Sequence, residues 1–88
     1  MYIRNIITAM GELNDDEVLF VNFKSGKSSR IFKTDVLEKV NGDLKVIRDL
    51  ERVGRCIVYI DSAEVESLII KKDEMKDMVL KWVLKMVL

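Results

Sequence analysis

Four basic side chains lie close together in the chain and are the clearest candidates for contact with a charged ligand. Lys24, Lys27, Arg30 and Lys33 fall within ten residues that contain no aspartate or glutamate. Serine hydroxyls interleave with them and can donate hydrogen bonds to phosphate oxygens. The same pattern also fits a solvated hairpin whose lysines protect an exposed edge. We therefore expect either such a hairpin or a modest, salt-sensitive contact with nucleic acid at these residues.

The tripeptide Gly26-Lys27-Ser28 matches only the end of a phosphate-binding loop. The full motif needs another glycine five residues before Gly26, and that position is Val21. It also needs a helix whose N-terminus faces the phosphate, whereas β-forming residues follow here. The tripeptide therefore predicts a hairpin turn, with no nucleotide cofactor.

The other reactive side chains form no recognisable catalytic set. The chain has no histidine, which removes the commonest general acid–base group and metal ligand. Glu12 and the run Asp15-Asp16-Glu17 lack the spacing of a calcium loop. Cys56 stands in an apolar run, which favours a small buried hydrophobe over a reactive thiol. We expect no enzyme activity, no catalytic residues, no cofactor and no metal site.

Charge and cysteine content limit the partners and the compartment. Fifteen basic residues balance fifteen acidic ones, so no whole-molecule field attracts nucleic acid or anionic lipid. A single cysteine cannot form an internal disulfide. The first residues lack the apolar run of a signal peptide, so the expected location is the reducing cytoplasm.

Apolar patterns and turn residues predict a single compact domain at 1–88 of the α+β class. We expect a small antiparallel sheet of four to five short strands, a helical segment at 35–53 and a C-terminal amphipathic helix. The hairpin is the best-supported part, because Gly26 separates two β-forming runs. The strands are predicted at 2–10, 18–23, 29–33, 56–60 and 65–70. The all-apolar run at 56–60 is typical of a central strand.

The helical segment at 35–53 is predicted from capping residues and periodicity. Thr34 fits an N-cap, and Asn41-Gly42 fits the left-handed end of a helix. Asp43 can cap a second helix that Gly54 would end. The segment after residue 61 allows two structures. A capping box at Asp61 can begin one long helix from residue 62, or residues 65–70 can form a strand.

A helix predicted from about Lys72 is apolar around most of its circumference. Its main stripe, at helical spacing, consists of Met75, Met78, Val79, Trp82, Val83 and Met86. Burying each large side chain contributes about 1.5–3 kcal/mol, so such a helix must be covered. The cover is the chain's own sheet, a partner subunit or a membrane surface.

These features predict a small non-enzymatic binding or regulatory module that acts through protein association. The expected partner is a second copy or another protein, with the stripe as the interface and Trp82 as its anchor. The alternative is a nucleic-acid-binding regulator that uses the basic hairpin at 24–33. A membrane surface is the least favoured partner, because acids at Asp73, Glu74 and Asp77 dilute the positive charge.

Overall fold

The described part of the chain begins with a helix and continues with short strands. The computed structural model describes residues 1–50 and 53–73. Within these residues, helix α1 spans Ile3–Gly11, and a single 3₁₀ turn at Ser62–Glu64 joins the last two strands. The strands are β1 at Glu17–Phe23, β2 at Ser28–Phe32, β3 at Val36–Val40, β4 at Asp43–Leu50, β5 at Gly54–Asp61 and β6 at Val65–Lys72.

The strands form two antiparallel sheets of three strands each. Sheet one has the order β2-β1-β6, so the first and last strands of the chain are neighbours. Sheet two has the order β3-β4-β5 and is a simple meander. The class is therefore α+β, as expected, but the described residues are mostly strands, and two small sheets replace the predicted single one.

The core contains side chains from the helix and from both sheets. Ile6 of α1, Leu19 of β1 and Ile31 of β2 meet Leu44 of β4 and Ile60 of β5 in one cluster of buried residues. Each of these side chains is almost completely removed from water, which contributes about 1.5–3 kcal/mol apiece. The inner faces of the two sheets are thus packed, whereas the outer faces of the described strands are mostly half-buried or exposed, with Val18 as a buried exception on β1.

The strand predicted at 2–10 is wrong, because these residues form α1. Ile3 and Ile6 are buried, while Ile7 is exposed, which is the three-residue spacing of a helix face. Met10 adds a partly buried contact one turn later. The β-branched isoleucines favoured a strand in the sequence prediction. Their intrinsic preference for strands is weak, however, and burial of one helix face outweighs it.

The helical segment predicted at 35–53 is also wrong, because β3 and β4 occupy most of it. Asn41 and Gly42 have φ angles of 48° and 86°, which fits the hairpin turn that requires positive φ at both central residues. The pairing of Val40 with Asp43 closes this hairpin. The dipeptide Asn-Gly is typical both of such a hairpin turn and of a helix end. The sequence prediction took it as a helix end, and here it forms the hairpin turn.

The first hairpin and the final strand are confirmed. β1 pairs with β2 around Gly26, whose φ is 87°. Residues 65–72 form β6 rather than the start of a long helix, because β6 completes sheet one beside β1. Lys72, the expected first residue of the C-terminal helix, ends β6 instead, and the rest of that predicted helix lies outside the described residues.

The predicted central strand at 56–60 is an edge strand in the part of the chain that the structure describes. β5 pairs only with β4 there, and Ile60 is its one buried side chain. Cys56 is half-buried, so it is less enclosed than expected. No helix among the described residues has the length and hydropathy needed to cross a membrane.

Candidate binding surfaces

The outer face of sheet one combines aromatic, basic and small polar side chains. Leu19, Val21 and Ile31 enter the core, so the alternating residues of the same strands point to the opposite side. Register places these residues side by side across β2, β1 and β6. We call this surface the basic face, and its members are Val18, Phe20, Asn22, Ser28, Arg30, Phe32, Ser67, Ile69 and Lys71.

Phe20 occupies the middle of the basic face between two cations. The Arg30 Cζ atom lies 5.2 Å from the centre of the Phe20 ring, and the Lys71 Nζ atom lies 5.3 Å from it. Arg30 is directly opposite Phe20 on β2, whereas Lys71 reaches it from β6 on the other side. Both cations are exposed and the ring is half-buried.

The hairpin loop places two further lysines at one end of the basic face. The Phe23 amide donates to the Lys27 carbonyl oxygen at 2.9 Å, and the Gly26 amide donates to the Phe23 carbonyl oxygen at 2.9 Å. The Lys24 amide donates to the Glu64 carbonyl oxygen at 2.9 Å, which ties the loop to the turn before β6. Lys24 and Lys27 are therefore held on a fixed backbone and are exposed.

The structure brings together three of the four predicted phosphate contacts. Lys24, Lys27 and Arg30 all lie on the hairpin, in the loop or on the basic face. Lys33 lies past the end of β2, and its Nζ atom forms an ion pair with Asp15 at 2.7 Å. Lys33 thus belongs to a different part of the surface.

A partly buried ion pair, between a buried carboxylate and a one-third exposed guanidinium, links the corner between β2 and β3 to sheet two. The Asp35 carboxylate is fully buried and accepts the Arg48 Nε–H at 3.0 Å and the Nη2–H at 2.9 Å. It also accepts the Phe32 amide N–H at 2.8 Å. Arg48 Nη2 donates as well to the Arg30 carbonyl oxygen at 3.1 Å. This pair therefore fixes the strand that carries Arg30.

The Asp35 carboxylate raises the pKa of Arg48, mainly through these hydrogen bonds and against the opposing effect of burial. The guanidinium also lies 4.3 Å from the centre of the Phe32 ring. A cleft of about 400 Å³ opens beside it, lined by Ser29, Arg30, Phe32, Val46, Arg48 and Val58. Because Asp35 already balances its charge, Arg48 is a structural group at the base of this cleft.

The outer face of sheet two carries a row of three apolar side chains, of which the outer two are exposed and the central Ile47 is half-buried. Val36, Ile47 and Ile57 pair across all three strands, on the side opposite the core residues Leu44 and Val46. We call these three residues the apolar row. Val36 is 54% exposed and Ile57 is 46% exposed.

Charged and aromatic residues border the apolar row. Tyr59, which is 59% exposed, lies two positions from Ile57 on β5. On one side, Lys45 Nζ lies 3.8 Å from Glu38 Oε2. On the other side, Arg55 Nε lies 3.2 Å from Asp49 Oδ1. An apolar strip between charged borders is typical of a protein interface.

The predicted protein interface at Met75, Met78, Val79, Trp82, Val83 and Met86 lies outside the described residues. Among residues 1–50 and 53–73, no histidine, cysteine, aspartate and glutamate side chains gather in a group of three that could hold a metal ion. Phe20, Lys71 and the apolar row were not predicted. The alternation of Val18, Phe20 and Asn22 was the available signal for the aromatic centre of the basic face.

Comparisons with known proteins identify no relative of this chain, because no family model, curated protein or solved structure matches it. The two surfaces are therefore interpreted from their own geometry.

Proposed function

We propose that this protein is a small non-enzymatic binding module that works by association with a second copy of itself. The observation that supports the proposal is the apolar row, which exposes large side chains on the outer face of sheet two. Its cytoplasmic location and its lack of catalysis stay predictions from the sequence, the latter resting on the absence of histidine.

The borders of the apolar row favour a second copy over an unrelated partner. Each border contains a positive and a negative side chain in the pairs Glu38–Lys45 and Asp49–Arg55. A two-fold axis through the row can bring the negative member of one copy toward the positive member of the other. Such a surface is self-complementary, and the charges select the partner more than they add affinity.

The apolar row alone provides too little energy for a stable dimer. Val36, Ile57 and Tyr59 are about half-exposed, whereas Ile47 is already partly buried, so completing the burial of each exposed side chain adds roughly 1 kcal/mol. Association costs about 4–15 kcal/mol in lost motion. The row therefore needs additional apolar surface, and the stripe predicted at Met75–Met86 is the obvious source within this chain.

The experiment compares the solution mass of the wild type and three variants by light scattering after size exclusion. Ile57→Lys places a charge in the apolar row and is expected to shift the mass toward the monomer. Ile7→Lys is the matched control, because Ile7 of α1 is 48% exposed and Ile57 is 46% exposed. Trp82→Ala tests the predicted stripe separately. If Ile57→Lys leaves a dimer intact while Trp82→Ala dissociates it, the interface is the stripe alone.

A nucleic-acid-binding regulator is the second candidate. Its support is the joint placement of Lys24, Lys27 and Arg30 on one hairpin. Purified protein should then carry nucleic acid at low salt and release it at high salt. Protein that shows no nucleic-acid absorbance at low salt contradicts this candidate.

A further inference from the structure

We infer that the basic face binds single-stranded nucleic acid by stacking an unpaired base on Phe20. Arg30 and Lys71 then contact the flanking phosphates, and Lys24 and Lys27 continue this contact along the hairpin loop. The inference deepens the second candidate function and does not depend on self-association. It adds an aromatic platform and a strand, β6, that the basic hairpin alone does not include.

Phe20 has the surroundings that a stacking platform requires. Its ring is partly accessible on a rigid central strand, because β1 is paired on both sides. Arg30 and Lys71 lie beside the ring through exposed cation–π contacts, which are weaker than the stacking of a base on an aromatic side chain. A base can therefore replace one cation at the ring, and that cation is then free to meet a phosphate.

The charged side chains of the basic face are all positive. The nine residues that define it include two cations and no carboxylate. The nearest buried acid, Asp35, is neutralised by Arg48. A neutral protein can thus present a local positive surface, although its affinity must come from these few contacts.

The polar end of the basic face lies between Phe20 and the lysines of the loop. Asn22 Nδ2 donates to Ser67 Oγ at 3.2 Å across the β1–β6 pair. Phe20 is four residues from Lys24 along the chain, which is about 13 Å at the rise of a strand. Amide and hydroxyl groups in this interval can hydrogen-bond the edges of a second base, so the face suits a short run of nucleotides.

This geometry selects single strands over duplexes. A duplex keeps its bases stacked on one another, and the ring of Phe20 on a broad sheet cannot enter the stack. Unpaired bases can be splayed onto an aromatic side chain, which is the common way in which sheets bind single strands. Stacking on Phe20 and contacts to phosphates do not involve the 2′-hydroxyl, so both RNA and DNA single strands are expected to bind.

The test measures fluorescence anisotropy of labelled twelve-nucleotide oligo-dT, oligo-U and a duplex of equal length. Wild-type protein is expected to bind both single strands and to bind the duplex at least tenfold more weakly. Phe20→Leu should lower single-strand affinity about tenfold or more, whereas Phe20→Tyr should retain it. Four phosphate contacts predict a slope of log affinity against log salt near −3 for single strands, and removing Lys24 and Lys27 should about halve it.

Lys39→Ala is the matched control, because Lys39 is an exposed lysine on sheet two. It should leave binding within twofold of wild type, and thermal unfolding verifies that every variant is folded. If Phe20→Leu binds like wild type while the loss of Lys24 and Lys27 abolishes binding, the stacking inference is overturned and the second candidate survives. If neither single strand nor duplex binds, the stacking inference and the nucleic-acid-binding candidate function are both overturned.

Discussion

At the scale of single residues, the Asp35–Arg48 pair is the most consequential interaction in the described part of the chain. The carboxylate accepts hydrogen bonds from Arg48 and from the Phe32 amide, so no lone charge is left in the interior. Breaking such a pair leaves one partner unbalanced, which costs far more than the pair itself contributes. It connects the two sheets at the corner where the chain passes from β2 to β3.

Replacing Asp35 tests this role. Asp35→Asn keeps the size of the side chain and removes its charge, and we expect the free energy of unfolding to fall by about 2–4 kcal/mol. The control Asp49→Asn removes an exposed partner of Arg55 and should change stability by less than about 1 kcal/mol. Urea unfolding measures both. Equal losses in the two variants would show that Asp35 has no special structural role.

The pair should not make stability depend on pH in the neutral range. The pKa of Arg48 is raised in the folded protein, so its contribution is complete below the arginine pKa of the unfolded chain. That contribution is lost only as pH rises through the still higher folded value, which lies well outside the neutral range.

At the scale of elements, local signals predicted the first hairpin, β1–β2, but missed both the second hairpin, β3–β4, and helix α1. Gly26 between two β-forming runs gave β1 and β2 correctly, because the turn residue and the strand residues agree. The segment around Asn41-Gly42 was ambiguous, since the same dipeptide ends helices and closes hairpins. The pairing of β4 with both β3 and β5, which no local pattern reveals, decided between them.

Pairing between distant strands, which local patterns do not reveal, also explains which residues of the candidate sites were not predicted. Lys24, Lys27 and Arg30 are neighbours in sequence and were found as a group. Lys71 reaches Phe20 only because β6 pairs with β1 across about 50 residues of chain. The apolar row required the registers of β3, β4 and β5, and the helical interpretation of 35–53 concealed it.

Helix α1 gives a direct test of the corrected N-terminal element. Ile6 is fully buried, whereas the adjacent Ile7 is 48% exposed. Ile6→Ala should therefore cost about 2–5 kcal/mol of unfolding free energy, and Ile7→Ala should cost less than about 1 kcal/mol. Thermal or urea unfolding distinguishes them. Large losses at both positions would contradict the burial of a single helix face.

The turn between β3 and β4 gives a test of the corrected central element. Gly42 has a φ of 86°, which a side chain disfavours by about 1–2 kcal/mol, so Gly42→Ala should destabilise the protein by that amount. Gly11 ends α1 without positive φ and has open space around it, so Gly11→Ala should be neutral or stabilising by up to about 1 kcal/mol. A neutral Gly42→Ala would contradict the left-handed turn.

At the scale of the whole molecule, the two outer faces can serve two different contacts. The core joins both sheets through their inner faces, so association through the apolar row leaves the basic face open. A dimer formed in this way would carry its two basic faces on opposite outer sides, so only a strand long enough to pass around the dimer could contact both and gain from the second site. Two weak sites can in this way give useful affinity in a chain with no net charge.

Self-association is the central claim, and the mass of the wild-type protein in solution tests it most directly. Light scattering after size exclusion, at several loading concentrations, should give twice the chain mass of 10.2 kDa at the highest concentrations. Because the apolar row alone is a weak interface, the mass should fall toward the monomer on dilution and in Ile57→Lys at every concentration. A mass of 10.2 kDa for wild type throughout would contradict the proposal.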